Sequence, residues 1–206
     1  YVISFSTKIL EGPANYVCYV DAHTGELLMR KNNVMYEAPP SGTSNVSGDV
    51  FPTNPYDPAV SQNFRYLKAI DQTTNTNYYT DINGDVVLPM NLGTPVRYKL
   101  EGLYADVETN SSTPEIYDNL DATNNIYFVN SNSTMQERTA YHAVNNIHDH
   151  LKTVFPTYTG LDIPMQTNID VTGSCNAFFD GSSINFYEEG GGCHATAKIP
   201  DVVYHE

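Results

Sequence analysis

The sequence predicts an α+β protein whose N-terminal half is rich in β-strands. The 206-residue chain holds 16 Tyr and no Trp, and it is dense in Thr, Asn and Ser. These residues suit half-buried strands and the turns between them. Short apolar runs alternate with turn residues along most of the chain. Residues 134–155 are the one long segment with apolar side chains at helical spacing.

Residues 1–36 are predicted to form a small β unit. An apolar start at residues 2–5 is followed by a strand at residues 16–20. The turn at residues 21–25 ends in Gly25, and residues 26–29 return as the second arm of a hairpin. Cys18 lies in the apolar strand, so we expect a buried free thiol.

Residues 37–63 form a break rich in Pro, Gly, Ser and Asn, and we take it as the best domain boundary. Because Pro lacks the N–H donor, we expect no regular ladder in this stretch. Five short strands follow at residues 66–70, 78–80, 86–88, 96–100 and 103–107. Their spacing predicts that residues 37–112 form a separate module resembling a β-sandwich.

A strong turn, Asp-Ile-Asn-Gly-Asp at residues 81–85, separates two of these strands. Its oxygen atoms are of the kind that bind calcium. A lone Asp-x-Asn-Gly lacks the remaining oxygen ligands of a calcium loop, so a plain turn is the favoured interpretation.

Residues 113–206 form the third predicted section, and their main feature is the helix at 134–155. Ser133 or Thr134 can cap its start, and Pro156 ends it. This helix also carries His142, His148 and His150. Residues two apart point about 200° apart around a helix, so His148 and His150 cannot share one ion. We expect all three histidines to be hydrogen-bonded or solvated.

After the helix the pattern returns to strands. Residues 177–179 and 184–187 predict a hairpin about Asp-Gly-Ser, and a second helix opens after the glycines at 190–192. Cys175 and Cys193 bracket this hairpin at a spacing that could close a disulfide. One local pair of this kind favours an oxidising compartment.

The overall charge excludes some classes of partner. The formal net charge is −14, and such a surface repels phosphate backbones, so nucleic acid is an unexpected partner. No apolar run approaches the ~20 residues needed to span a bilayer, so we expect no transmembrane segment. The chain starts at Tyr1 and stops within an apparent helix, and we expect both ends to be cuts within a longer protein.

The last two residues are His205 and Glu206, the front half of an H-E-x-x-H motif. In the complete motif, two His four residues apart lie on one helix face and hold zinc, while the Glu takes a proton from the zinc-bound water. The dipeptide alone is a weak signal, and on those two residues alone an ordinary pair of helix residues is the favoured interpretation.

Three further segments give the dipeptide a context. They are Asn-Ala-Phe-Phe-Asp-Gly at 176–181, Ile-Asn-Phe-Tyr at 184–187 and Asp-Val-Val-Tyr-His-Glu at 201–206. Together they closely resemble the thermolysin-like zinc peptidases. The framing by Cys175 and Cys193 and the Gly-Gly-Gly-Cys stretch look most like the fungalysin branch. The resemblance covers about residues 134–206. Residues 19–28 resemble the end of the family's propeptide, and residues 40–110 match neither part.

This resemblance implies a secreted, extracellular zinc endopeptidase with a propeptide-like unit at 1–36. Residues 113–206 would be the N-terminal part of its catalytic domain, cut within the zinc helix. His205 would be the first zinc ligand and Glu206 the general base. Asn176 and Ala177 would lie on the edge strand that pairs with the peptide substrate. The implied cofactor is zinc, with calcium as a second candidate.

The implied partners are peptide or protein substrates and the remainder of the catalytic domain. A catalytic zinc needs three protein ligands, so the chain with His205 alone is expected to be inactive by itself. The alternative is a non-catalytic surface module that binds carbohydrate or protein on a degenerate peptidase scaffold, since fold resemblance does not guarantee activity.

Overall fold

The structure is a computed structural model that describes residues 2–9, 12–32, 41–89, 95–109, 114–119 and 125–206. It has two compact units, residues 1–39 and 40–206. The predicted β-rich α+β class is confirmed, with 15 strands and two α-helices in the described part of the chain. None of these helices is long and apolar enough to cross a membrane.

The first unit is a three-stranded antiparallel sheet. Its strands are β1 (Val2–Ile9), β2 (Gly12–Val20) and β3 (Leu27–Asn32), in that order. The turn after β2 is closed by the Asp21 carboxylate, which accepts hydrogen bonds from the backbone N–H groups of His23 and Thr24. Cys18 is a buried free thiol, as the sequence predicted.

The second unit contains twelve strands. They are β4 (Ser41–Val50), β5 (Val60–Asn63), β6 (Leu67–Asp71), β7 (Thr76–Tyr79), β8 (Asp85–Pro89), β9 (Pro95–Gly102), β10 (Ala105–Thr109), β11 (Glu115–Asn119), β12 (Ile126–Phe128), β13 (Met165–Val171), β14 (Ala177–Phe179) and β15 (Ser183–Tyr187). The larger sheet runs β14-β15-β13-β10-β9-β6-β7, with β11 also on β9. The smaller one runs β12-β4-β5, with β8 also on β4.

Helix α1 (Met135–Val154) packs against strands of both sheets. The Thr134 hydroxyl accepts the backbone N–H of Glu137, and the Glu137 carboxylate accepts the N–H of Thr134. This reciprocal capping box confirms the predicted start of the helix. The apolar face of α1 meets the inward side chains of β9, where Val96, Tyr98 and Leu100 are all buried.

The prediction that residues 37–63 hold no regular ladder is wrong for residues 41–50 and 60–63, which form β4 and β5. The ten-residue strand β4 pairs with β5, β8 and β12. Its inward positions are Gly42, Ser44, Val46, Gly48 and Val50. Three of these five residues are Gly or Ser, so a search for alternating hydrophobic residues does not detect the strand. A Cβ at Gly48 would lie 3.0 Å from the Phe64 ring, so a larger residue there would make the ring shift.

The structure does not show the predicted separation of residues 37–112 from residues 113–206. Strand β10 pairs in parallel with β13 and antiparallel with β9, so both predicted sections share one sheet. Parallel pairs join segments far apart in sequence, and local spacing cannot reveal them. Both predicted boundaries, near residues 37 and 112, lie outside the described residues.

Candidate functional site

Helix α2 (Pro200–His205) carries the two residues on which the sequence hypothesis depends. Pro200 occupies the first turn, where its missing N–H costs no hydrogen bond. Val203 is 3% exposed and anchors the helix in the core. His205 is exposed and Glu206 half-buried. Successive helix residues point about 100° apart, so the two side chains leave α2 in different directions.

The predicted edge strand is the outermost strand of the larger sheet. Strand β14 pairs only with β15 among the described strands, so its other side is open. The carbonyl of Asn176 accepts the Tyr187 N–H at 3.3 Å, on the side of β15. Because main-chain groups alternate along an antiparallel strand, those of Ala177 are directed to the open side. Ala177, and Phe179 two residues further on, therefore have their main chains on the side that a peptide could approach.

The hairpin between β14 and β15 is held by Asp180. Its carboxylate accepts the backbone N–H groups of Ser182 and Ser183, both at 2.8 Å, and the hydroxyls of the same two serines. These hydrogen bonds, led by the one from the Ser183 backbone, hold the pKa of Asp180 well below its ordinary value. Both oxygen atoms of the Asp180 carboxylate accept hydrogen bonds within the turn, so we assign this side chain no chemical role.

The predicted disulfide between Cys175 and Cys193 is confirmed. It ties the residue before Asn176 to the glycine-rich loop, where Gly190 and Cys193 also exchange two backbone hydrogen bonds. The bond therefore fixes the entrance of β14 against the segment that leads into α2.

One surface depression of about 400 Å³ brings all four predicted site residues together. Its lining comprises Cys175, Asn176, Ala177, Thr196, Asp201, Val202, His205 and Glu206. In the sequence these residues lie on two predicted elements about 29 positions apart. The structure brings the edge strand and the His-Glu end of α2 to one opening.

A second cavity, of about 220 Å³, lies on the other side of the α2 C-terminus. His205 and Glu206 reach it as well, but most of its lining is apolar and comes from α1 and the segment after it: Val144, Ile147, Leu151, Leu161, Ile163 and Met165. The end of α2 therefore borders both openings, and the second is the more apolar of the two.

The histidines of α1 take no part in a shared ion site. His148 is buried, stacks on Tyr104 with ring centroids 3.5 Å apart, and faces Asp162 through Nε2 at 3.1 Å and Asp149 through Nδ1 at 3.3 Å. His150 is exposed. The interpretation as hydrogen-bonded or solvated side chains is confirmed for these two.

The described residues contain no group of three His, Cys, Asp or Glu side chains arranged to hold a metal ion. His205 supplies one imidazole where a catalytic zinc needs three protein ligands. The acidic turn at 81–85 does not offer a free set of metal ligands either, because the Asp81 carboxylate accepts the N–H groups of Asn83 and Asp85. Within the described part of the chain, the donors at these two places therefore do not by themselves form a zinc or a calcium site.

Sequence reasoning missed Thr196, which lines the depression. Its hydroxyl donates to the carbonyl of Asn176 at 3.0 Å, and the residue is 7% exposed. A lone Thr in a Gly- and Ala-rich stretch carries no recognisable signal, and the contact spans 20 positions. Comparison with known proteins adds no relative, because no protein-family model matches the chain and no curated protein matches it significantly.

Proposed function

We propose that this chain belongs to a secreted zinc-dependent endopeptidase of the thermolysin-like class, closest to the fungalysin branch. The observation that carries the proposal is the shared opening between the free edge of β14 and the His205-Glu206 end of α2. A peptidase needs an extended peptide held next to a base, and these two elements offer that arrangement.

The edge of β14 is the element proposed to bind substrate. A free strand edge offers main-chain donors and acceptors to an extended peptide, which gives affinity without a sequence requirement. Ala177 has its main chain on the open side. The preceding Asn176 uses its carbonyl inside the fold, so its contribution would come from the side chain.

Glu206 is the proposed general base. Its carboxylate is half-buried and lies at the rim of both openings. A carboxylate in that position can accept a proton from a water molecule that attacks the peptide carbonyl. His205 supplies one imidazole nitrogen, and the proposal requires that the other metal ligands come from outside this chain.

The experiment compares Glu206→Gln and His205→Ala in a form of the protein that carries the complete H-E-x-x-H motif. Glu206→Gln should keep bound zinc and lower peptide cleavage by at least about 10², because the shape remains and the base is lost. His205→Ala should lose the metal. Glu188→Gln is the matched control, since Glu188 is exposed and lines neither opening.

Undiminished cleavage by Glu206→Gln would remove Glu206 from the mechanism. The 206-residue chain itself should show no tight zinc binding in equilibrium dialysis, because it offers one of three ligands.

A non-catalytic peptide-binding module is the second candidate, and the same open strand favours it. Strand addition at β14 needs no metal ion. Binding of an extended peptide by a full-length protein that neither retains zinc nor cleaves the peptide would support this alternative.

A further inference from the structure

Thr196 ties the edge strand to the segment that leads into α2. Its hydroxyl donates to the Asn176 carbonyl at 3.0 Å, and the same carbonyl accepts the Tyr187 N–H at 3.3 Å. A carbonyl oxygen has two lone pairs, so these two donors saturate it. The Asn176 carbonyl is therefore fixed toward the interior.

A series of backbone hydrogen bonds connects Thr196 to the start of α2, the helix that carries His205. Thr196 is the first residue of a 3-10 turn (Thr196–Lys198). The Thr196 carbonyl accepts the Ile199 N–H at 3.1 Å. The carbonyl of Ile199 in turn accepts the N–H groups of Val202 and Val203, in the first turn of α2. Each step is a short-range hydrogen bond, so the backbone between Thr196 and the first turn of α2 is held in one conformation, while Val203 anchors the helix in the core.

We propose that Thr196 is a positioning residue that sets the separation between the peptide-binding edge at Ala177 and the His205-Glu206 end of α2. This inference rests on the proposed function, since it assigns Thr196 to the same site. The buried hydroxyl holds Asn176 inward, which leaves the main chain of Ala177 directed outward. Without the hydroxyl the entrance of β14 is held by the disulfide at Cys175 and by β15.

The test compares Thr196→Val, which keeps the shape and removes the hydroxyl, with Thr196→Ser, which restores it. Thr153→Val is the matched control, because the Thr153 hydroxyl also donates to a main-chain carbonyl, that of His150 at 2.7 Å, but on the exposed side of α1. Each variant is made in the 206-residue chain.

The first measurement is amide hydrogen exchange at Tyr187, which shares the Asn176 carbonyl with Thr196. Thr196→Val should speed this exchange by about tenfold, which corresponds to roughly one hydrogen bond. Thr196→Ser and Thr153→Val should leave it within twofold. Unchanged exchange in Thr196→Val would overturn the proposal, whatever the protein does to peptides.

The second measurement is an NMR titration with the blocked peptide acetyl-Ala-Gly-Leu-Ala-amide, followed at the Ala177 and Phe179 amides. Thr196→Val should weaken binding at least threefold, and Thr196→Ser should restore it. Faster exchange with unchanged peptide affinity would overturn the positioning role and leave Thr196 a structural residue.

A third outcome separates the two proposals. If the unaltered chain does not bind the peptide at β14, the proposed edge function fails and the positioning role for substrate fails with it. If it binds the peptide and Thr196→Val weakens that binding, the positioning role stands even when the full-length protein shows no cleavage.

Discussion

Helix α1 with the strands beneath it and the segment 173–206 hold their shapes in different ways. Around α1 the side chains of Phe64, Tyr98 and Tyr141 are at most 1% exposed and pack in one cluster. The segment 173–206 reaches the same cluster through Ile184, Phe186 and Val203, and the Asp180 turn, one disulfide and the Thr196 hydroxyl add directed bonds. The first region depends on burial, and the second combines burial with a few directed bonds.

This difference implies that the two regions respond to different changes. Loss of a buried group around α1 should destabilise the whole 40–206 unit, because the cluster is continuous from β4 to α2. Loss of a directed bond in 173–206 should loosen the site locally and leave the cluster intact.

The largest effect is expected at Arg138, the largest fully buried side chain in the described residues. Its guanidinium donates to the carbonyls of Asp49 and Ser133, at 2.8 and 2.7 Å, and to the Asn130 side chain at 2.8 Å. Burial lowers the pKa of Arg138. Arg138→Met should reduce the free energy of unfolding by about 3–5 kcal/mol, because these acceptors lose their donors.

Urea denaturation measures this effect, with Lys152→Met as the control. Lys152 is also a cation on α1, but its amino group bonds Asp162 and the Tyr158 carbonyl at the surface. That variant should cost at most about 1 kcal/mol. Equal costs for the two variants would contradict the view that burial holds the α1 region.

The second effect concerns the disulfide. The double variant Cys175→Ser/Cys193→Ser should lower stability by about 3 kcal/mol on the chain-entropy model for a loop of this length. We expect faster amide exchange in 173–195 and retained protection in α1. Cys18→Ser, in the other unit, is the control for loss of a cysteine. Equal loss of protection in α1 and in 173–195 would show that the site is not held separately.

The smallest effect is a pH dependence at His142, on the partly solvated side of α1. Burial, with a further contribution from the nearby Arg65 cation, lowers the pKa of His142 from 6.5 to about 4. The unfolded chain therefore binds the proton more readily than the folded one between these values. The stabilisation is fully present above pH 6.5 and is lost as the pH falls toward 4.

Between pH 7 and pH 5 this loss should amount to about 1–2 kcal/mol, reduced from the full shift because the ring is partly solvated. His142→Gln should remove that part of the pH dependence, as measured by urea midpoints at both pH values. His150→Gln, at an exposed position, should leave it in place. If His142→Gln kept the pH dependence of the unaltered chain, the loss of stability would come from other titratable groups and the prediction would be wrong.

Local pattern was enough to predict several elements. The helix at 134–155 was correct, and Thr134 is the cap of the two candidates, Ser133 and Thr134, because helical period and capping residues act within a few positions. The hairpin about Asp180 followed from turn residues between two apolar runs. The pairing of Cys175 with Cys193 followed from their framing of that hairpin.

Longer-range features were missed for a physical reason. Strand β4 buries Gly, Ser and Val in alternation, so packing against Phe64 and Arg138 rather than hydrophobicity selects its residues. Strand β11, where the sequence predicted no element, forms by pairing with β9. Both strands depend on partners that are distant in sequence.

The sequence by itself determined the fold class, the helix and the disulfide pair, because each of these depends on residue type and local spacing. The four residues of the candidate site follow from the family resemblance and stay a prediction. Only the tertiary structure decided that β10 and β13 join two predicted sections into one sheet, and that Thr196 meets the Asn176 carbonyl. It also decided which side of β14 is open. These contacts join residues that are 20 to 60 positions apart in the sequence. The packing of the folded chain brings such donors and acceptors together, and the local order of residues does not reveal them.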